Sequence, residues 1–251
     1  MRGKVVNYNI LGREILIYLP KSYDENNHGK KYPVVYIHDG DKVLNILDKI
    51  MFNVEKYALE NKCEEHIIVG IAPINRLDEY TPWPESSLVE KFKPFKGKGE
   101  EYLDFIVDNL KPYIDSKFNT KKDSKNTSMI GYSLGGLISL FSIYKHGSFG
   151  NIVSICGSQW YRGWIDFMQK NNIKNKDINI LIIAGLREEE NKSTIQKDIK
   201  EYVEKSYSIF TSQIGKTNVS LEWDDYGHNE NVIARYEKAI KHIYNLNKIT
   251  I

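Results

Sequence analysis

An α/β architecture, a mostly parallel central sheet with helices on both faces, is predicted by three observations. Short apolar runs alternate along the chain with helical patterns, the runs are apolar at nearly every position, and turn residues close them. Strands apolar throughout are buried on both faces. Alternation of strand and helix implies right-handed crossovers within a parallel sheet. The strand candidates, in order, are "EILIYLP", ended by Pro20, "YPVVYIHDG", stopped by Asp39-Gly40, "HIIVGIAPI", "TSMIGYS", "NIVSICGS", "NILIIAGL" and "NVSLEWDDYGH". Between and after them the spacing predicts helices over "DKVLNILDKIMFNVEKYALEN", "EEYLDFIVDNLKPYIDSKF", "LGGLISLFSIYKHG", "STIQKDIKEYVEKSYSIFTSQ" and "NVIARYEKAIKHIYNLN". Ligands of such sheets gather at the carboxyl ends of the strands. The segment from Asn75 to Gly99, proline-punctuated and aperiodic, follows one such end and is expected to border the site, as a lid or as a fixed wall.

A chain of 251 residues is enough for one well-buried domain, expected to span 1–251. Hydrophobic content of 41% and charged content of 27% are ordinary globular values, and no apolar run is long enough to span a bilayer. Charged residues interrupt every apolar run of "MRGKVVNYNILGREILIYLP", so no signal-peptide core is read and a cytoplasmic location is expected. Cys63 and Cys156 lie far apart without CxxC spacing, which predicts free thiols rather than a disulfide or a zinc site. No HxH, HExxH or clustered Asp/His set appears, so neither a metal nor a cofactor is expected. The net charge is +2, and the run Lys91, Lys93, Lys96 and Lys98 lacks the pattern of a nucleic-acid binder and reads as a solvated loop.

The stretch "TSMIGYSLGGLISL" holds the chemistry. Gly131-Tyr132-Ser133-Leu134-Gly135 fits G-x-S-x-G, the nucleophile elbow, in which a serine sits on a strained turn between strand and helix. Side chains on either flank of such a turn collide, which favours glycine there. The pattern alone is weak evidence. Its setting, a strand before and a helix apolar nearly all round after it, strengthens the reading against an incidental glycine turn.

A serine needs an adjacent base to be a nucleophile. Of the six histidines, His228 in "DDYGHNE" follows the last strand and precedes the last helix, where the base belongs in the order Ser, Asp/Glu, His. His28 and His66 sit in connecting segments, His146 near a helix end and His242 inside the final helix. The residue that orients the imidazole is expected after "NILIIAGL", where Glu188 opens "EEE"; Glu189, Asp224 and Asp225 are its rivals. The oxyanion donors are expected to be the backbone N–H groups of Leu134 and Asp41. His38 either touches substrate or closes its strand by a hydrogen bond.

With "YPVVYIHDGD", "NRLDEYTPW", "MIGYSLGGL", "HGSFGNIVSICGSQWY" and "YGHNE" in this order, the chain resembles the putative-esterase branch of the α/β-hydrolases. Within that branch it is similar to the stand-alone enterochelin (enterobactin) and bacillibactin trilactone esterases. The resemblance covers nearly the whole chain. It implies an α/β-hydrolase fold, Ser133 as nucleophile, His228 as base and an acidic partner at Glu188, although "REEE" does not reproduce a distinctive acid motif. It also implies substrate contacts from Arg76, whose guanidinium suits catecholate oxygens, and from Trp160, stacked on an aromatic acyl group. A surface ion pair and core packing are their respective alternatives. The expected partner is a small-molecule ester, a ferric siderophore among the candidates, with feruloyl or acetyl esters, thioesters and a non-catalytic binding role as the other readings.

Overall fold

The computed structural model describes residues 3–27, 29–60, 62–91 and 93–245. Its centre is an eight-stranded sheet in the order β1-β2-β4-β3-β7-β8-β9-β10. These strands are β1 (Lys4–Ile10), β2 (Arg13–Leu19), β3 (Val34–His38), β4 (Ile67–Ile71), β7 (Thr127–Tyr132), β8 (Asn151–Ile155), β9 (Asn179–Gly185) and β10 (Val219–Asp224). From β4 to β10 all pairings are parallel; β1 and β2 form an antiparallel hairpin that joins β4 antiparallel. This is the mostly parallel sheet of the α/β-hydrolase fold.

Strand β3 shows why the apolar runs are continuous. Val34 and Tyr36 pack on one side of the sheet, Val35 and Ile37 on the other, and all of them are buried. On the second side lie α1 (Gly40–Leu59), through Val43, Leu47, Ile50, Met51 and Val54, and α8 (Val232–Ile243), through Tyr236, Ala239, Ile240 and Ile243. The first side is covered by α3 (Gly99–Asp104), α4 (Lys111–Lys117), α5 (Leu134–Lys145), α6 (Trp164–Lys170) and α7 (Ile199–Ile214). A π-helical stretch, Phe105–Leu110, joins α3 to α4 just before Pro112. Pro112 has no N–H to donate to the preceding turn, and a widened turn absorbs that loss.

Two elements escape the apolar pattern. β1 is an edge strand with alternating half-exposed positions, so "KVVNYNI" carries no continuous run. Its hairpin turns on Leu11 and Gly12, both at positive φ, as a two-residue turn matched to strand twist requires. α6 is too short to display helical periodicity. The Asn75 to Gly99 segment is partly ordered: α2 (Arg76–Glu79) is followed by a ribbon of β5 (Pro84–Glu85) and β6 (Phe95–Lys96). The ribbon's base is anchored by Trp83, which packs on Phe141, Tyr161 and Phe167 and donates to the Arg162 carbonyl at 3.0 Å. Lys96 lies 3.5 Å from Asp78, and Lys98 lies 3.6 Å from Glu101. No helix among the described residues is long and apolar enough to cross a membrane.

Candidate active site

The carboxyl end of β7 runs into α5 through Ser133 alone, at φ 59 and ψ −120. The flanking glycines make that turn sterically possible: a Cβ at Gly131 would lie 2.0 Å from the Gly135 carbonyl oxygen. A Cβ at Gly136 would lie 2.7 Å from Ser154 Oγ and 2.9 Å from Gly157 Cα, so that glycine lets α5 sit directly on β8. The strained residue has its backbone satisfied from the neighbouring strand. Ser133 N–H donates to the Ile155 carbonyl at 2.9 Å, and Ser158 N–H donates to the Ser133 carbonyl at 3.0 Å. Burial of α5 along its length, from Leu134 to Tyr144, then fixes the elbow against the sheet.

Two loops complete the centre. His228, beyond β10, places Nε2 3.1 Å from Ser133 Oγ. Its Nδ1 lies 2.5 Å from Oε2 of Glu188, which stands beyond β9. The Glu188 side chain is only 3% exposed, and its other oxygen accepts the Gly185 N–H at 2.8 Å. Burial works to raise the Glu188 pKa, but the hydrogen bond and charge of His228 and the Gly185 N–H together hold it below the usual carboxylate range. The rivals stand elsewhere: Glu189 and Asp225 are exposed, and Asp224 is paired with Arg235. Ser133, His228 and Glu188 therefore form one connected line, with the imidazole between hydroxyl and carboxylate.

The arrangement has supports that the sequence did not advertise. Arg235 on α8 has a side chain only 1% exposed and grips Asp224 at 2.5 and 2.7 Å. It also donates to the carbonyls of Gly227 at 3.1 Å and His228 at 3.3 Å and to Tyr132 Oη at 3.2 Å. Tyr132, inside the elbow motif, donates in turn to the His228 carbonyl, and its ring stacks on Tyr236. One buried guanidinium thus ties the histidine loop to the elbow. An arginine on an amphipathic helix gives no sequence signal for this, because its partners are carbonyls brought in by other segments. Ser158 also emerges only in three dimensions, with Oγ 3.4 Å from Ser133 Oγ.

The proposed oxyanion donors head two helices at adjacent strand ends. Leu134 is the first residue of α5, and Asp41 is the second of α1. Both N–H groups belong to the set that has no intrahelical acceptor. Asp39, in the left-handed region, makes the turn from β3 into α1, and its N–H donates to Tyr80 Oη at 2.9 Å. The following Gly40 admits no side chain, since a Cβ there would lie 2.3 Å from the Gly70 backbone.

The three residues expected to touch substrate are each engaged with other parts of the protein. Arg76 is committed to protein: Nε lies 2.8 Å from Asp39 Oδ1, and Nη2 reaches Asp39 Oδ2 at 3.0 Å and the Tyr132 carbonyl at 3.1 Å. Its guanidinium clamps the α1 turn to the elbow. His38 is fully buried, with Nδ1 2.8 Å from Tyr102 Oη and its ring against Tyr80 and Tyr102. Burial, with Arg76 and Arg13 nearby, pushes its pKa down to about 3, so it is a neutral side chain under the elbow rather than a substrate contact. Trp160 is 7% exposed and packs with the core, its ring beside Tyr161.

The remaining histidines lie apart from the centre. His66 is buried with its ring against Tyr244, His146 Nε2 sits 3.1 Å from Asp104, and His242 is on α8. His28 lies outside the described residues. Both cysteines are free. Cys156, buried beside Glu188 and Tyr132, has its thiol pKa pushed up chiefly by burial. The donor atoms of Cys156, Glu188 and His228 all lie within 4.8 Å of one another.

Known proteins resemble this chain in sequence and fold. The chain is 31% identical over 256 residues to the uncharacterized protein YbbA of Bacillus subtilis, covering 100% of both chains. It is 26% identical over 193 residues to the ferri-bacillibactin esterase BesA of Bacillus subtilis, covering 69% of this chain and 66% of BesA. The siderophore hydrolase EstA of Aspergillus nidulans superposes with a TM-score of 0.76 at 16% identity, over 96% of this chain and 94% of EstA, and so shares the fold. The family model described as Putative esterase matches residues 11–230, and the chain therefore belongs to that esterase family.

Proposed function

We propose that this esterase is a serine carboxylic-ester hydrolase that works through an acyl-enzyme, with catecholate siderophore trilactones as its substrate class. The observation that carries the reading is the line from Ser133 Oγ to His228 Nε2, 3.1 Å, and from His228 Nδ1 to Glu188, 2.5 Å. In that line Glu188 holds the Nδ1–H tautomer, which leaves Nε2 free to accept the Ser133 proton as Oγ attacks the ester carbonyl. The Leu134 and Asp41 N–H groups bind the oxyanion. His228 then returns the proton to the leaving alkoxide, and water, activated in the same way, hydrolyses the acyl-enzyme.

The substrate class is supported by the names of the relatives BesA and EstA and by the apolar rim of the loops that bear the acid and base. Leu186 and Tyr226 on those loops are at least 40% exposed, as is Ile233 at the start of α8, a surface suited to aromatic acyl groups. The test compares hydrolysis of a ferric catecholate trilactone with that of p-nitrophenyl acetate, using wild type and Ser133→Ala. Trilactone turnover with a far higher kcat/KM, abolished by the substitution, is the expected result. Activity on the simple ester alone would keep the serine mechanism and assign the enzyme to small esters or thioesters. Full activity in Ser133→Ala would remove the mechanism itself.

A further inference from the structure

We propose that Cys156, Glu188 and His228 form an inhibitory site for zinc or a similar soft divalent cation, which switches the enzyme off by capturing the nitrogen that must carry the orienting proton. The inference rests on the reading of His228 as general base. Thiolate, imidazole and carboxylate are a ligand set suited to zinc, which takes sulfur, nitrogen and oxygen donors. The three donor atoms already lie within 4.8 Å of one another. Zinc bond lengths place tetrahedral ligands roughly 3.3–3.7 Å apart. Nδ1 and the Glu188 oxygen, now 2.5 Å apart, therefore separate by about 1 Å while the thiol closes in. Cys156 and Glu188 are buried, but the His228 side chain is 25% exposed, so the ion enters from the imidazole side.

The consequence follows from the tautomer. In the active form Nδ1 carries the proton and Nε2 accepts from Ser133. With a cation on Nδ1, a neutral imidazole carries its proton on Nε2, which then has no lone pair for the serine. The thiol gives its proton to solvent as the S–metal bond forms, the imidazole proton moves from Nδ1 to Nε2, and Glu188 binds as the carboxylate it already is. One proton is released per ion, and no electron is transferred. The serine stays in place but loses its base.

The test uses purified chain stripped of metal with a chelator. Cobalt(II) added to wild type is expected to produce a thiolate-to-cobalt charge-transfer absorption in the near ultraviolet, retained in Cys63→Ser and absent in Cys156→Ser. Zinc is expected to inhibit ester hydrolysis reversibly. Relative to each protein's own metal-free rate, Cys156→Ser should raise the half-inhibitory zinc concentration by roughly 100-fold, since loss of even an outer-shell partner costs about 10–100-fold in affinity. Circular dichroism establishes that both variants are folded, and Cys156→Ala replaces the serine variant if it is not. An absorption band that follows Cys63, no band at all, or equal zinc sensitivity in the Cys156 variant would overturn the site. Fluorophosphonate labelling of Ser133 in metal-free protein tests the serine mechanism separately, and the cobalt band is read without any turnover.

Discussion

The elbow that carries Ser133 and the loop that carries His228 are joined by the Ser133–His228 hydrogen bond and by Tyr132 donating to the His228 carbonyl, but are built by opposite means. The elbow is a backbone object: glycines remove the atoms that would clash, and hydrogen bonds from β8 and its following loop hold the positive φ. The histidine loop is held by side chains, above all by Arg235 and Glu188, which come from different elements. A centre built this way has a serine that local sequence positions and a histidine that only long-range contacts position.

The largest break is expected in the side-chain half. Glu188→Gln keeps the shape but stabilises neither the correct tautomer nor the imidazolium, and kcat should fall roughly 10⁴-fold, about 5 kcal/mol, with KM little changed. Steady-state kinetics decide this; a loss below tenfold would mean that Ser133 and His228 work as a pair alone. Arg235→Met should follow. It removes the partner of the half-buried Asp224 carboxylate and frees the Gly227 and His228 carbonyls, a change worth about 1–3 kcal/mol of stability, with a lower kcat in the protein that remains folded. Urea midpoints and kcat at saturating substrate read both effects, and partial rescue by Arg235→Lys would mark positioning of His228. Unchanged kcat in folded Arg235→Met would reduce the arginine to a structural role.

The backbone half breaks differently. Gly131→Ala forces a methyl onto the Gly135 carbonyl and should cost stability near the top of the roughly 1–3 kcal/mol range for overpacking, with loss of fluorophosphonate labelling. Normal labelling and stability would show that the turn tolerates a side chain. The smallest effect concerns the floor of the elbow, where His38 lies 3.3 Å from the position a Gly135 Cβ would take. Its folded pKa, about 3, is below the ordinary histidine value of about 6.5, so between those values the unfolded chain binds a proton that the fold refuses. Stability attributable to His38 is therefore full above pH 6.5 and is lost on acidification through that window, at about 1.4 kcal/mol per pH unit. His66, buried and pushed down to about 4, adds to the same slope. His38→Gln should flatten the fall in urea midpoint from pH 6 to pH 4, and an unchanged slope would mean that His38 is not the group titrating.

Legibility in the sequence followed the same division. Continuous apolar runs exposed β2 to β4 and β7 to β9, because a strand covered on both faces leaves few polar positions, whereas β10, a half-exposed edge strand, was legible only as the last run of the series. The half-exposed edge strand β1 and the short α6 gave no such signature. Arg76 and Trp160 are visible as residues, but whether a guanidinium faces solvent or Asp39, or an indole faces ligand or core, depends on segments remote in the chain. His38 was ambiguous for the same reason.

What the sequence by itself determined is the alternation of strands and helices, the elbow around Ser133 and the chain order of serine, acid and histidine, all set by periodicity and by glycine's missing Cβ. The tertiary structure alone selected Glu188 from its neighbours, committed Arg76 to Asp39, buried His38 and enlisted Arg235. Each of these is a contact between side chains far apart in sequence, and such contacts exist only once the sheet has brought the strand ends together.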